Sequence, residues 1–459
     1  MENFWDFSVW GWMTIFGVLL GSLLVGNILR KSIPFLRNSL IPTSVIGGAI
    51  ILIVELIYKT ITGEVLFASQ IFGDNGESTL EIITYHALAL GFIASAFKTT
   101  DKKLTKERTG EIFNTGVTTV ATYLIQGIVG LCVTLIATLI ISDFFAAAGV
   151  LLPFGFGQGT GQALNYGNIY ETEHGFVGGR SFGLTIAALG FISASIGGVI
   201  HLNIMKRSGR LVRSTRRDGS THSEKIESSN EIPMQESIDK MTIQIALIVV
   251  AYLLAYGLIY LLGSLLPSMK SVIYGFNFLI GVLIATLIKL LLNLLRKKGI
   301  MKKKYTNNFL MTRASNFFFD IMIVSGVAAI RLDILENYWG VIIILAVLGT
   351  AVTYIYNRFV AKKLFSDYAE EQFLAMYGML TGTASTGIIL LREIDSEFET
   401  PVSDNLVYQN FPAIVFGLPL MFLATLAPTH PILTLIIFVL FFAVLNVILF
   451  RNKIFKKKK

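Results

Sequence analysis

Apolar residues run along this chain in long blocks separated by short polar collars. The blocks are Val9–Leu29, Ile41–Tyr58, Ile82–Phe97, Asn114–Ile141, Phe144–Asn165, Val177–Ile204, Met241–Ser264, Val272–Leu295, Phe317–Ile330, Trp339–Asn357, Gln372–Leu391, Asn405–Ala427 and Pro431–Phe450. About 20 mostly apolar residues cross the ~30 Å hydrocarbon core of a bilayer as a helix. In lipid, helix is the one open-chain form that satisfies its own backbone. The pattern therefore predicts an all-α polytopic membrane protein. Met1–Phe7 carries no basic residue ahead of the first block, so that block is expected as a span rather than a cleaved leader.

Two blocks do not read as plain spans. Phe144–Asn165 contains Pro153-Phe-Gly-Phe-Gly-Gln-Gly-Thr-Gly161, and Gln372–Leu391 contains Gly378-Met-Leu-Thr-Gly-Thr-Ala-Ser-Thr-Gly387. Glycine inside a helix costs about 1 kcal/mol against alanine. Irregular backbone is tolerated at membrane depth where protein buries it or it lines a cavity. Both blocks are expected as re-entrant hairpins, at 144–165 and 372–391.

Composition agrees with the membrane reading. Of 459 residues, 53 % are apolar and 15 % charged, against roughly 25 % charged in a soluble domain, and the mean hydropathy is +0.66. The single cysteine, Cys132, excludes an intrachain disulfide. The net charge of +8 is carried by collars at helix ends, where cations meet anionic headgroups, so nucleic acid is not expected as a partner. With the amino terminus outside, the carboxyl terminus cytoplasmic and both hairpins re-entrant, all of the 38 Lys and Arg except Lys59, Lys270, Arg331 and Arg180 fall on the inner side. That distribution satisfies the positive-inside rule and sets the expected location, the cell membrane.

Block starts in the second half trail those in the first by a nearly constant offset: Val9 with Met241, Ile41 with Val272, Ile82 with Phe317, Asn114 with Trp339, Val177 with Asn405. Five spans per half is odd, so the halves are expected as inverted repeats, a pointer to secondary transport. The expected organisation is a repeat at 1–204, a cytoplasmic linker at 205–240, a repeat at 241–427, and an extra helix with a basic tail at 428–459.

The hairpin tips carry the candidate chemistry, because glycine admits a ligand close to the main chain. Broken helix ends present free amides to an anion and free carbonyls to a cation such as sodium. The candidates are Gly157, Gln158, Gly159, Thr160 and Gly161 in the first tip, and Thr383, Ser385, Thr386 and Gly387 in the second. Close helix packing through small residues is the other role open to these glycines. Arg180 stands four residues into a span, either as a fork for a substrate carboxylate or snorkelling to the outer interface. Asp320 has two roles open to it, sodium or proton coupling and plain neutralisation by Arg313 or Lys304, and His86 has proton coupling or packing as a hydrogen-bonded histidine. Asn165, Tyr408, Gln409 and Asn410 follow or face the hairpins. No Walker A lysine, HExxH or paired cysteines occur, so no enzyme, catalytic residue or resident cofactor is expected. A passive pore would show polar stripes along several spans, whereas the polar groups here are expected to concentrate at the hairpins.

Ile41-Pro-Thr-Ser-Val-Ile-Gly-Gly48, Gly157-Gln-Gly-Thr-Gly-Gln-Ala163 and Gly382-Thr-Ala-Ser-Thr-Gly387 resemble the bacterial sodium/glutamate symporter family, with matching spacing from Val9 to Ala427. The resemblance implies sodium-coupled uptake of glutamate or a similar small carboxylate, two inverted five-helix repeats, and a homodimer working as an elevator. Under it the tips form the substrate site, and Asn165, Ala384 and Asn410 are the expected sodium ligands. The chain departs from the family pattern in having Gln158 in place of histidine, and Thr383-Ala-Ser-Thr386 in place of proline flanked by threonines. A sodium/citrate-type symporter shares the paired-hairpin plan and is the alternative.

Overall fold

A computed structural model describes residues 3–98, 105–208, 231, 238–395 and 399–454. The side chains of residues 106, 268, 385, 411 and 452–454 lie outside that description, as do most of the expected linker and the basic tail Lys456–Lys459. Most of the described residues are helical. Their one β feature is an isolated bridge between Glu231 and Lys304.

The principal helices are α1 (Phe7–Ser32), α2 (Thr43–Thr62), α3 (Gly76–Ala96), α4 (Lys106–Ala137), α5 (Leu151–His174), α6 (Gly179–Arg207), α7 (Lys240–Leu265) and α8 (Asn277–Lys297). They continue with α9 (Asn308–Ala328), α10 (Trp339–Leu364), α11 (Ala369–Thr381), α12 (Ala384–Arg392), α13 (Val402–Tyr408), α14 (Asn410–Leu426) and α15 (Pro431–Ile454). Among the described residues nine helices are long and apolar enough to cross a membrane, and a tenth span results if α13 and α14, bent by 49°, are one.

The helices begin and end where backbone chemistry dictates. Asp239 caps α7 by accepting from the amides of Met241 and Thr242 at 2.8 and 3.3 Å, which satisfies donors the first turn leaves open. Gly63 closes α2 in the left-handed region at φ 77°, where a side chain is disfavoured. Pro412 lacks an amide hydrogen, and the expected single span Asn405–Ala427 is divided just before it. The expected short span Phe317–Ile330 is the second half of a longer helix, α9, whose first half holds Asn308, Thr312, Arg313 and Ser315. That polar start keeps α9 out of the set of nine.

The chain divides into two compact units. The first comprises Met1–Leu20, Val65–Lys102 and Arg217–Ser325. Its core is formed by Ile93, Ala94, Phe97, Ile248, Ala251, Ala285, Met311 and Ala314 from α3, α7, α8 and α9. His86 lies here with Nδ1 2.7 Å from the Tyr252 hydroxyl and its ring edge-on to that tyrosine. Asp320 is exposed on α9. Glu231 accepts from the Lys240 ammonium at 2.9 Å and from Asn307 Nδ2 at 2.6 Å.

The second unit comprises Gly21–Glu64, Lys103–Arg216 and Gly326–Lys459 and contains both glycine-rich blocks. Close backbone approach organises it. A Cβ at Gly183 would lie 2.5 Å from the Ala163 carbonyl, and one at Gly155 would lie 2.9 Å from the Ala187 amide, so α6 packs against the residues on both sides of the α5 break. Buried His201 on α6 sets Nδ1 2.7 Å from the Tyr354 hydroxyl and Nε2 2.9 Å from the Glu370 carboxylate. This ties α11 to α6 and α10.

Candidate functional site: two helix breaks gathered on one helix

α5 is two helices joined at Gly159, whose φ of 77° and ψ of −172° no helix contains and only glycine adopts readily. The chain folds back there. Phe154 and Tyr166 stack with ring centroids 3.8 Å apart, whereas residues twelve apart in a straight helix are separated by about 18 Å. The second arm continues to His174, past the expected hairpin end at Asn165, because the polar run after Asn165 still follows the helical backbone.

The second block breaks between α11 and α12 at Gly382 and Thr383. The arms pack so tightly that a Cβ on Gly387 would sit 2.4 Å from the Ala375 carbonyl, and one on Gly378 2.9 Å from the Gly387 Cα. Gly387 thus serves arm packing. Thr383 caps α12, accepting from the Thr386 amide at 3.4 Å with the two hydroxyls 3.2 Å apart.

The two breaks converge. A methyl at Gly190 on α6 would meet the Thr381 carbonyl at 2.6 Å and the Phe156 Cα at 3.3 Å. α4 connects them as well. The Tyr123 hydroxyl donates to the Gly157 carbonyl at 3.0 Å. One turn further along, buried Gln126 donates through Nε2 to the Leu380 carbonyl at 2.9 Å and to Thr353 Oγ1 of α10 at 2.8 Å. Thr160 is buried beside Gly326, where a Cβ would be 2.6 Å from the Thr160 Cβ.

The expected residues divide accordingly. Gly159, Thr160 and Gly161 are buried at the first break with Gly157 and Gln158 half-buried; Thr386 and Gly387 are buried at the second, with Thr383 half-buried and Ala384 exposed. The Ser385 side chain lies outside the described residues. Asn165 is buried in the second arm of α5, and Asn410 is exposed at the start of α14 with Oδ1 3.4 Å from Gln409 Nε2. Arg180 is not at the tips. Its Nε donates to Asn168 Oδ1 at 2.9 Å and lies 3.9 Å from Glu171, residues about 15 Å along the arm from Gly159 by helical rise.

The expectation that polar groups concentrate at the hairpins is too narrow. α4 carries Thr115, Thr118, Thr119, Thr122 and Gln126, all buried. Thr119 donates to Gln409 Oε1 at 2.7 Å, Asn357 Nδ2 donates to Thr122 Oγ1 at 3.3 Å, and Gln372 Nε2 donates to Thr115 Oγ1 at 3.3 Å. The spacing of these residues along an apolar helix, together with Thr353 and Asn357 four apart on α10, is the signal that locates them.

These features define a polytopic helical membrane protein in which two helix breaks and a polar helix face are gathered inside one unit. The chain belongs to the sodium/glutamate symporter family, whose model matches residues 12–400. That is a transporter family rather than an enzyme family. No curated protein matches the chain.

Proposed function

We propose that this protein is a sodium-driven symporter that takes up glutamate or a similar small carboxylate by an elevator-like movement. The convergence of both broken helices at Gly190 carries the reading. It sets the carboxyl ends of two helix arms side by side, where main-chain carbonyls suit sodium, and the amino ends of the arms that follow each break offer amides suited to a carboxylate. Both breaks belong to one compact unit, which suits a unit that carries its cargo as one piece. In this reading the breaks are re-entrant hairpins at equivalent places in two inverted repeats, the amino terminus is outside and the carboxyl terminus cytoplasmic. A homodimer held through the other unit completes it.

Gly157–Gly161, Thr383, Ser385 and Thr386 remain the proposed substrate contacts, and Asn165, Ala384 and Asn410 the proposed sodium contacts. Arg180 receives less support, since Asn168 and Glu171 already engage its guanidinium. Net positive charge entering per cycle would be driven by ~2.3 kcal/mol per charge per 100 mV.

Radiolabelled glutamate uptake into proteoliposomes, with and without an inward sodium gradient, tests the proposal. Concentrative uptake that requires sodium and is competed by glutamate-like acids supports it. Competition by citrate alone transfers the substrate to the alternative, and equilibrative flux without an ion gradient overturns coupling.

A further inference from the structure

Gln126 has an oxygen with no donor. Its side chain is fully buried, and its two amide protons are spent on the Leu380 carbonyl and Thr353 Oγ1. Oε1 has no hydrogen-bond partner. The Thr353 hydroxyl proton is also spent, on the Gly349 carbonyl at 2.6 Å. Turning the amide over would set Oε1 against the Leu380 carbonyl and strip Nε2 of both acceptors, so the network fixes which way it points. An unsatisfied buried acceptor is costly and rare in folded proteins.

The surroundings favour positive charge. Leu380 lies in the last turn of α11, a 13-residue helix ending at Thr381, and the carboxyl end of a helix carries partial negative charge. The named oxygens are neutral: an amide, a hydroxyl and main-chain carbonyls. Hard cations take oxygen ligands, and a divalent ion ordinarily draws carboxylates into its shell, so neutral oxygens suit a monovalent ion.

We infer that Gln126 Oε1 ligates a sodium ion beside the break of the second hairpin. The inference rests on the sodium-coupled reading above and adds to it a ligand from α4, outside either glycine-rich block.

The test uses the purified full-length protein and two substitutions, Gln126→Met, which keeps the length and loses the acceptor, and Gln126→Glu, which keeps an oxygen and adds charge. Two quantities are read: the sodium-dependent rise in melting temperature without any carboxylate, against potassium as control, and the sodium concentration for half-maximal glutamate uptake in proteoliposomes. The expected result is stabilisation of the wild type by sodium, its loss in Gln126→Met, and a rise of about tenfold in half-maximal sodium, equivalent to ~1.4 kcal/mol. Gln126→Glu retains stabilisation by sodium and is the deciding variant if Gln126→Met does not fold. A wild type driven by sodium whose half-maximal sodium is unchanged in Gln126→Met overturns the inference and leaves the symporter reading standing. A raised glutamate KM at saturating sodium with unchanged sodium dependence overturns it too, since Oε1 would then accept from a substrate ammonium. A wild type that neither gains stability from sodium nor takes up a carboxylate under a sodium gradient overturns both.

Discussion

The two units bury polar groups in different ways. In the first, donors and acceptors meet in closed pairs. Thr84 and Ser325 hydroxyls lie 2.8 Å apart, Ser315 donates to the Gly91 carbonyl at 3.0 Å, and Gln244 and Asn307 exchange partners through Asn307 N and Gln244 Oε1 at 3.0 Å. In the second, helices are broken at Gly159 and Gly382, and Ser44, Gln126, Gln162 and Asn405 retain buried side-chain atoms without a partner. Buried polar atoms are nearly always bonded in native proteins. Among the described residues the second unit is the one that leaves such atoms unbonded, and in the proposed reading the first unit is the scaffold.

The sharpest way to break that comparison is a pair of glycine substitutions. At Gly190 an added methyl meets the Thr381 carbonyl at 2.6 Å, which is backbone and cannot swing aside, whereas at Gly281 in the first unit it meets the flexible end of Ile93 at 2.6 Å. Overpacking costs about 1–3 kcal/mol where nothing yields. Gly190→Ala is expected to lose uptake by about tenfold or more, and Gly281→Ala to change it less than about twofold, with rates normalised to protein in the membrane.

Next in size is Tyr123→Phe, which strands the Gly157 carbonyl. The cost of about 1–3 kcal/mol falls on the first break, so uptake is expected to drop about tenfold. Ser325→Ala removes a first-unit hydrogen bond. It should lower thermal stability by about 1 kcal/mol and spare uptake; equal loss of transport in both variants would erase the distinction between units.

A pH measurement sharpens the scaffold side. Burial works to raise the Glu231 carboxyl, but hydrogen bonds from Lys240 and Asn307 outweigh it and hold it below its ordinary 4.5. A depressed carboxyl contributes stability that is fully present above the unfolded value and is lost as pH falls through the folded one. Wild-type protein is therefore expected to lose this contribution below pH ~4.5, and Glu231→Gln to be less stable at pH 7 with a flatter acid profile. Thermal melts across that range check it, and parallel profiles would remove the pair from the stability of the unit.

The smallest effect belongs to Lys59 and Asp333 of the second unit, 3.1 Å apart with side chains 36 % and 47 % exposed. Lys59→Met should change stability by less than about 1 kcal/mol. A larger change in the melt would show that this exposed pair is shielded from solvent.

Much of the fold was legible in the pattern of apolar blocks, because a span needs length and hydropathy and both are local. Positions of the two breaks were legible as well, since glycine clusters weaken a helix wherever they fall. The polar face of α4 is faint in the sequence because threonine is individually mild in hydropathy, and only its i, i+3, i+4 and i+7 recurrence with Gln126 marks it. Arg180 stands in the sequence as a lone cation in a span, yet its partners Asn168 and Glu171 lie nine to twelve residues away, across a turn that two left-handed glycines, Gly175 and Gly178, create.

The sequence by itself determined that the chain is helical, membrane-spanning and interrupted at two glycine-rich points, because those properties follow from side-chain hydropathy and backbone freedom at each position. Tertiary structure alone decided that both interruptions meet at Gly190 and that Tyr123 and Gln126 of one helix reach both. Those contacts join residues 34 and 254 positions apart along the chain, and no local pattern encodes which distant carbonyl a buried hydroxyl or amide will find.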